Sequence, residues 1–387
     1  MRRNAVKLAT VAGALMIAAV AAVAARHAIA AASPIKIAIP AELSGSGASV
    51  GTLWRDGVEL AISDLNAKGG ILGHPLVGTV YDTQTNPSVS RAVILKALDG
   101  HPYAVLGPVY SGSIQVDEPL TQKARIAEIM GGEAANLTTM GDPYIFRTSL
   151  GQAQTVPPVV DYLVKDLHAK RVGMIWVNDD YGKGGHSIFL ADAKKAGLKV
   201  VADISSEAGQ VSFAPDLLKL RAAHVDAVFV YLHEEENARL LKGMRQMGLK
   251  VPVVGGTTLI DAQTMKLAGS DANGVVSFSG LASGSPLPAV QDFVRRFEAR
   301  FHVHPDHNAL KGYMAVWMVK AGTEKMGKLD AHGLAAALHG MTIDPKTQPG
   351  ILLPMHIFPN GDIDNGGFLI VTKNNAQHVI RVVPPAM

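Results

Sequence analysis

Hydrophobic and polar positions repeat in one order along most of the chain. A short apolar, β-branched run ends in Gly, Asn, Asp or Pro, and a stretch with helical spacing follows. IKIAIP (35–40) precedes a helix expected from about Gly51 to Ala67. LVGTVYD (76–82) precedes one from Pro87 to Leu98, its start marked by the capping amide of Asn86 and by Pro87 in the first turn. YAVLG (103–107) leads to a helix from about Gly112, and IAEIM (126–130) comes next. A second series opens with a helix at 153–167. It continues with RVGMIWV (171–177), a helix at 183–196, LKVVADIS (198–205), a helix at 214–223, DAVFVYL (226–232), a helix at 235–247 and VPVVG (251–255). After Pro286-Leu287-Pro288 come three helical patterns, 289–301, 307–326 and 330–339. From about 351 the tail reads as short strands around the turn Pro359-Asn360-Gly361-Asp362.

Strands separated by helices of this length make βαβ units and parallel sheets. Two such series predict an α/β fold of two doubly wound, Rossmann-like lobes. The three late helices and the strand-rich tail must also pack somewhere, so the chain is expected to cross between the lobes more than once.

The first thirty residues stand apart. MRRNAVK is a positive start, residues 8–25 are an uninterrupted apolar run, and Ala28-Ile29-Ala30 offers small residues at the cleavage positions. This is the form of a secretory signal peptide cut near Ala30, which places the mature protein in a bacterial periplasm without direct membrane insertion. The leader carries Arg2, Arg3, Lys7 and Arg26 and no acid, so its removal takes the formal charge from +3 to about −1. A near-neutral chain without a Lys/Arg block is a poor partner for nucleic acid. With 48% hydrophobic and 18% charged residues the chain is globular, not disordered. It has no cysteine, which removes disulfides, thiolate metal sites and a cysteine nucleophile.

In open α/β sheets ligands bind outside the carboxyl ends of the strands. That rule selects SGSGASVG (44–51), PVYSGS (108–113) and GGEAAN (131–136) in the first lobe. In the second it selects NDDYGKG (178–184), HEEEN (233–237) and GTTLID (256–261). Ser111-Gly112-Ser113 runs from a strand into a helix start, where free N–H groups and a hydroxyl suit an anion. An ordinary capping serine is the alternative.

Other chemistry fits the sequence less well. Gly47-Ala48-Ser49-Val50-Gly51 matches the spacing of a hydrolase nucleophile elbow, but Ser49 lies too far beyond the strand for the strained turn that motif needs. Gly45, Gly47 and Gly51 are a near miss for a dinucleotide loop. His302, His304 and His307 are broken by Pro305 and read as solvated loop histidines rather than a zinc set. The run Glu234-Glu235-Glu236 reads as an acidic first helical turn. No cofactor, metal or catalytic residue is expected.

Residues 35–87 resemble the N-terminus of the leucine/isoleucine/valine-type periplasmic binding proteins, above all in Leu65-Asn-Ala-Lys-Gly-Gly-Ile71 with Gly73 and Tyr81-Asp82. The resemblance continues in order through Leu106-Gly-Pro with Ser111, Phe146-Arg-Thr148, Asp180-Tyr-Gly182, Asp226-Ala-Val228, Arg245-Gln-Met-Gly-Leu249, Ala268-Gly269, Asn273-Gly274 and Gly312-Tyr313. It implies the type I periplasmic binding protein fold, two lobes joined by a three-crossover hinge. Lobe 1 would hold 31–152 plus 282–350, and lobe 2 would hold 153–281 plus 351–387. The ligand would sit in the cleft, and the closed form would dock on an ABC permease in the inner membrane, the receptor itself being a monomer.

Carried over by position, Ser111 holds a ligand carboxylate with its hydroxyl and neighbouring N–H groups, and Tyr110, Gly132, Glu133, Ala134 and Ala135 line the same side. Tyr181, His233, Glu234 and Thr257 face them from the second lobe. The family's amino-acid binders usually place an acid where Thr257 stands, to pair with a ligand ammonium. Here Glu133, Glu234 or Asp180 would have to supply that charge. The ligand this implies is a branched-chain or other apolar amino acid. The alternatives are another small carboxylate or an amide, or a soluble sensor that passes occupancy to a signalling partner.

Overall fold

The computed structural model describes residues 32–148 and 150–384. The expected signal peptide and its cleavage site lie outside the described residues.

The first lobe opens with β1 (Ile35–Ala41), α1 (Ala48–Ala67), β2 (Leu76–Asp82), α2 (Pro87–Asp99), β3 (Ala104–Leu106), α3 (Ser111–Ala124), β4 (Glu128–Met130) and β5 (Ile145–Arg147). The second follows with α4 (Gln152–Lys165), β6 (Arg171–Val177), α5 (Asp180–Lys195), β7 (Lys199–Ser206), α6 (Ala214–Ala222), β8 (Ala227–Tyr231), α7 (Glu234–Gln246), β9 (Val253–Gly255), α8 (Ala262–Ala268) and β10 (Val276–Ser279). The chain ends with α9 (Pro288–Phe301), α10 (His307–Met326), α11 (Leu334–Leu338), β11 (Thr342–Ile343), β12 (Met355–Ile357), β13 (Ile363–Asp364), β14 (Gly367–Lys373) and β15 (Ala376–Val383).

One sheet, ordered β2-β1-β3-β4-β5, is parallel throughout. A small antiparallel sheet is ordered β11-β12-β13, and the largest sheet is ordered β15-β14-β10-β9-β8-β6-β7. It is parallel from β10 to β7, with β14 and β15 added antiparallel. The two-lobed α/β fold expected from the strand–helix alternation is therefore present. The chain passes between lobes three times: between β5 and α4, between β10 and α9, and between β13 and β14.

Local chemistry explains the element starts. Asn86 accepts hydrogen bonds from Ser88 N at 2.9 Å and Val89 N at 3.3 Å, so the predicted cap of α2 forms as drawn. Asp179 caps α5 through Gly182 N at 2.9 Å, and Asp306 caps α10 through Asn308 N at 2.8 Å. Three short elements escape the hydrophobic pattern. β5 and β10 are three and four residues long, and α8 is seven, too few for either period to show.

The late helices return to the first lobe, where α10 crosses α1 at close range. A Cβ on Gly57 would stand 2.1 Å from Ala309 O, and one on Gly312 would stand 2.2 Å from Trp54 O. Only glycine allows this approach. It places the N-terminal turns of α10 beside the cleft.

The third crossing comes later than the sequence indicates. Residues from 351 on were expected in the second lobe, yet the segment up to Asp364 stays against the first. Arg147 N donates to Gly361 O at 3.0 Å, Thr138 Oγ1 donates to Asp362 Oδ2 at 3.2 Å, and the buried Arg147 guanidinium pairs with Asp362 at 3.0 Å. The turn expected at 359–362 is thus pinned by an arginine far from it in sequence, and only β14 and β15 join the second sheet. Among the described residues no helix is long and apolar enough to cross a membrane.

Candidate functional site

A small cavity of about 40 Å³ lies between the lobes, at the carboxyl ends of both parallel sheets. Tyr110, Ser111, Glu133, Tyr181, His233, Glu234 and Thr257 all line it. Three helices point their N-termini at it: Ser111 begins α3, Glu234 begins α7 and His307 begins α10. Their dipoles give the cavity a bias toward an anionic group.

Ser111 Oγ accepts from Ala134 N at 3.3 Å. A hydroxyl bonded in this way still has its own proton to donate. The segment 132–135 is not all wall. Gly132 O and Ala134 O each accept from the Arg147 guanidinium at 2.5 Å, and Ala135 N donates to Gln152 Oε1 at 3.2 Å. Gly132, Ala134 and Ala135 therefore shape the loop from behind, and Glu133 is the member that reaches the cavity. Arg147 is the residue that holds the loop, and its part in this could not be read from its position in a strand.

Glu133 is fully engaged. Lys311 Nζ donates to Oε1 at 2.6 Å, Thr257 Oγ1 donates to Oε2 at 2.7 Å, and His307 Nε2 lies 3.6 Å from Oε1. Burial alone would raise its pKa, but the Lys311 charge and the His307 contact overcome that and hold it well below the carboxylate range. It stays ionised, with its charge already balanced.

His307 corrects the sequence expectation. His302 and His304 are exposed, but His307 is only 2% exposed, lines the cavity and pairs through Nδ1 with Asp261 at 2.8 Å. Burial would lower its pKa, and the Asp261 carboxylate more than reverses this, raising it to about 10. A 3.6-residue spacing puts Lys311 one turn further along the same face of α10, so His307 and Lys311 reach the cavity together. The sequence signal was the buried helix at 307–326, whose first turn had to face something.

His233 is charged by the same logic. Burial opposes the proton, but Nε2 lies 2.6 Å from Asp179 Oδ2, and the pKa rises to about 9. Its ring stacks on Tyr110 at 4.8 Å and on Tyr181 at 5.4 Å, so an aromatic wall spans both lobes. Tyr110 OH also donates to Glu234 Oε2 across the cleft at 3.3 Å.

Asp180 is exposed and does not line this cavity. Asp261, Asp306 and His307 hold their donor atoms within 4.8 Å of one another. A protonated His307 with Lys311 a turn away makes that corner hostile to a metal ion. Ser49 sits in the first turn of α1, not on a strained elbow, so the hydrolase spacing has no structural counterpart.

Comparison with known proteins agrees with this geometry. The profile of the periplasmic binding protein family matches residues 34–363. The Leu/Ile/Val-binding protein homolog 3 of Brucella melitensis is 26% identical over 307 residues, covering 79% of this chain and 83% of that protein. The Leu/Ile/Val/Thr-binding protein of Salmonella typhimurium is 28% identical over 320 residues, covering 82% of this chain and 87% of that protein. Among solved structures, the branched-chain amino acid transporter substrate-binding protein LivJ of Streptococcus pneumoniae, in complex with isoleucine, superposes with a TM-score of 0.84. It is 23% identical and covers 91% of this chain and all of that one. A solute-binding protein of Rhodopseudomonas palustris in complex with benzoate has a TM-score of 0.83 at 21% identity, covering 92% of this chain and 98% of that one. With the family profile spanning nearly every described element and the cavity held between two parallel-sheet lobes, this chain belongs to the periplasmic binding proteins, as a type I member of the kind that serves ABC importers.

Proposed function

We propose that the chain is an exported receptor that carries a small amino acid with an apolar side chain, branched-chain amino acids foremost, to an ABC permease. The observation that carries this reading is a cavity whose wall alternates between lobes: Tyr110, Ser111 and Glu133 from one, Tyr181, His233, Glu234 and Thr257 from the other. A ligand touching both walls favours the closed form by its contacts in that form, which is how occupancy becomes a shape a permease can read. The three helix N-termini, the Ser111 hydroxyl and Lys311 favour the ligand carboxylate. Val50, Val109 and the rings of Tyr110 and Tyr181 suit an apolar side chain. The printed names of the Brucella and Salmonella relatives point to the same ligand class.

In this reading the receptor acts in the periplasm as a monomer, without turnover of its ligand, after loss of a leader ending near Ala30. The same cavity supports a second ligand class for a specific reason. Thr257 is uncharged, and Glu133 is already balanced by Lys311, so a small carboxylate lacking an amine also fits.

A thermal-shift panel of amino acids, amides and short carboxylic acids tests the proposal, followed by small-angle scattering with and without the strongest binder. A branched-chain amino acid should raise the melting temperature most and keep or reduce the radius of gyration. An amide or an amine-free acid at the top of the panel would overturn the ligand assignment. Turnover of any panel compound would overturn the receptor reading.

A further inference from the structure

Three carboxyl groups line the cavity, with Asp179 behind its His233 wall, and their partners differ. Glu133 has Lys311 and Thr257. Asp261 has His307. Asp179 has His233. Glu234 is 3% exposed and, among the described residues, has no ion pair with a Lys, Arg or His side chain. Its side chain accepts from Tyr110 OH at 3.3 Å through Oε2, and the nearby Asp261 carboxyl repels its negative charge. A buried carboxyl beside a second carboxyl, with no cation against it, favours its neutral form. Glu234, buried and without a cation of its own, is therefore the carboxyl that burial keeps protonated.

We propose that Glu234 is the group that receives the ligand's ammonium, in place of an acid at Thr257, and that it releases its proton when the ligand binds. The inference rests on the amino-acid reading above. The exchange balances: the carboxylic proton passes to solvent, and an N–H of the incoming ammonium takes its place as donor to the same carboxyl group. An ammonium ion beside a buried carboxylate stabilises the charged form that burial alone disfavours.

Other charges face this group. His233 and Glu236 come from its own helix end, Asp261 from the segment before α8, and Tyr110 from the first lobe. His307 and Lys311 on α10, with Glu133, form the far side of the cavity. Burial and then Asp261 push Glu234 up to about 8, against the opposing charge of His233. At pH 7 the group is therefore mostly protonated, and near one proton should leave per ligand bound. His233 and His307 lose their protons only at about 9 and about 10, above the range in which Glu234 acts.

The experiment is calorimetry of the intact mature protein with L-leucine, in buffers of different ionisation enthalpy, from pH 6 to pH 8.5. The expected result is release of close to one proton at pH 6–7, fading above pH 8. Affinity should rise about tenfold per pH unit at the low end and then level off. Isocaproate, which keeps the carboxylate and side chain of leucine but lacks the amine, should release no proton. Glu234→Gln should bind leucine at least tenfold more weakly at pH 8, without proton release, while its melting temperature reports intact folding. Leucine binding that is independent of buffer and unchanged in Glu234→Gln would overturn this inference and leave the receptor reading standing. Binding of isocaproate but not of leucine would overturn both the amino-acid reading and the inference.

Discussion

Glu133 of the first lobe and Thr257 of the second are joined by a 2.7 Å hydrogen bond, with Thr257 Oγ1 donating to Oε2. The bond lies at the cavity and joins the two lobes. Thr257, where the family resemblance led to the expectation of an acid, is the donor of this bond between lobes.

Thr257→Val removes the donor and keeps the shape. A hydrogen bond to a charged acceptor contributes about 1.5–3 kcal/mol. Its loss should move the closed–open balance roughly tenfold to a hundredfold toward open. Small-angle scattering on ligand-free protein should then show a larger radius of gyration than wild type. Superimposable curves would mean that the bond does not hold the lobes.

Ser111→Ala should weaken ligand binding about tenfold or more, because a carboxylate oxygen closed away from water loses a donor. Ala134 N also loses its acceptor, so a modest drop in melting temperature should accompany the change. Calorimetry separates the two effects. Wild-type affinity with a lowered melting point would leave the serine as a support for the 132–135 loop alone.

Lys311→Met leaves Glu133 buried without its main counter-charge. Breaking a buried ion pair in this way costs about 3–5 kcal/mol. Adding Glu133→Gln removes the stranded charge and should recover a large part of the loss. Urea unfolding of the two variants checks this. A single variant as stable as wild type would rule out the pair as a structural element.

The first lobe also holds acids whose ionisation its fold opposes. Burial first, then the Glu42 charge, raises Asp117 to about 8 despite a hydrogen bond from Ser90 Oγ at 2.5 Å. Burial also raises Glu118 and Glu42 to about 7. These groups are protonated when folded and ionise near pH 4 when unfolded. Their contribution is therefore complete below about pH 4 and is lost as pH rises through 7–8. The melting temperature should fall from pH 5 to pH 8.5. The raised His233 and His307 add to the loss above pH 6.5, and Asp117→Asn should flatten the slope by removing its own share. An Asp117→Asn variant with the wild-type slope would show that this carboxyl does not titrate in that window.

Much of the molecule was legible along the chain. Alternating runs such as RVGMIWV and DAVFVYL fall within one residue of β6 and β8, because a strand buried on both faces must be apolar along its length. Asn86 and Pro87 announce the start of α2 because capping is a matter of neighbouring residues. Loops at strand ends led to the cleft, since parallel βαβ units leave their carboxyl ends on one side. Those are local or periodic properties, and a linear sequence carries them whole.

The electrical character of the site was decided by tertiary structure alone. Nothing near Glu133 in sequence says that Lys311 and His307, more than 170 positions away, will neutralise it. Nothing near His307 says that Pro305 and Asp306 lead it into a buried first turn rather than into solvent. Gly57 and Gly312 bring α10 against α1 closely enough to aim both cations into the cleft, and Arg147 fixes the turn at 359–362 to the first lobe. Burial and charge pairing depend on which distant surfaces meet. The sequence could therefore point to the cleft and name about half of its wall, while only the folded chain settled which acids there are already paired and which one lacks a cation.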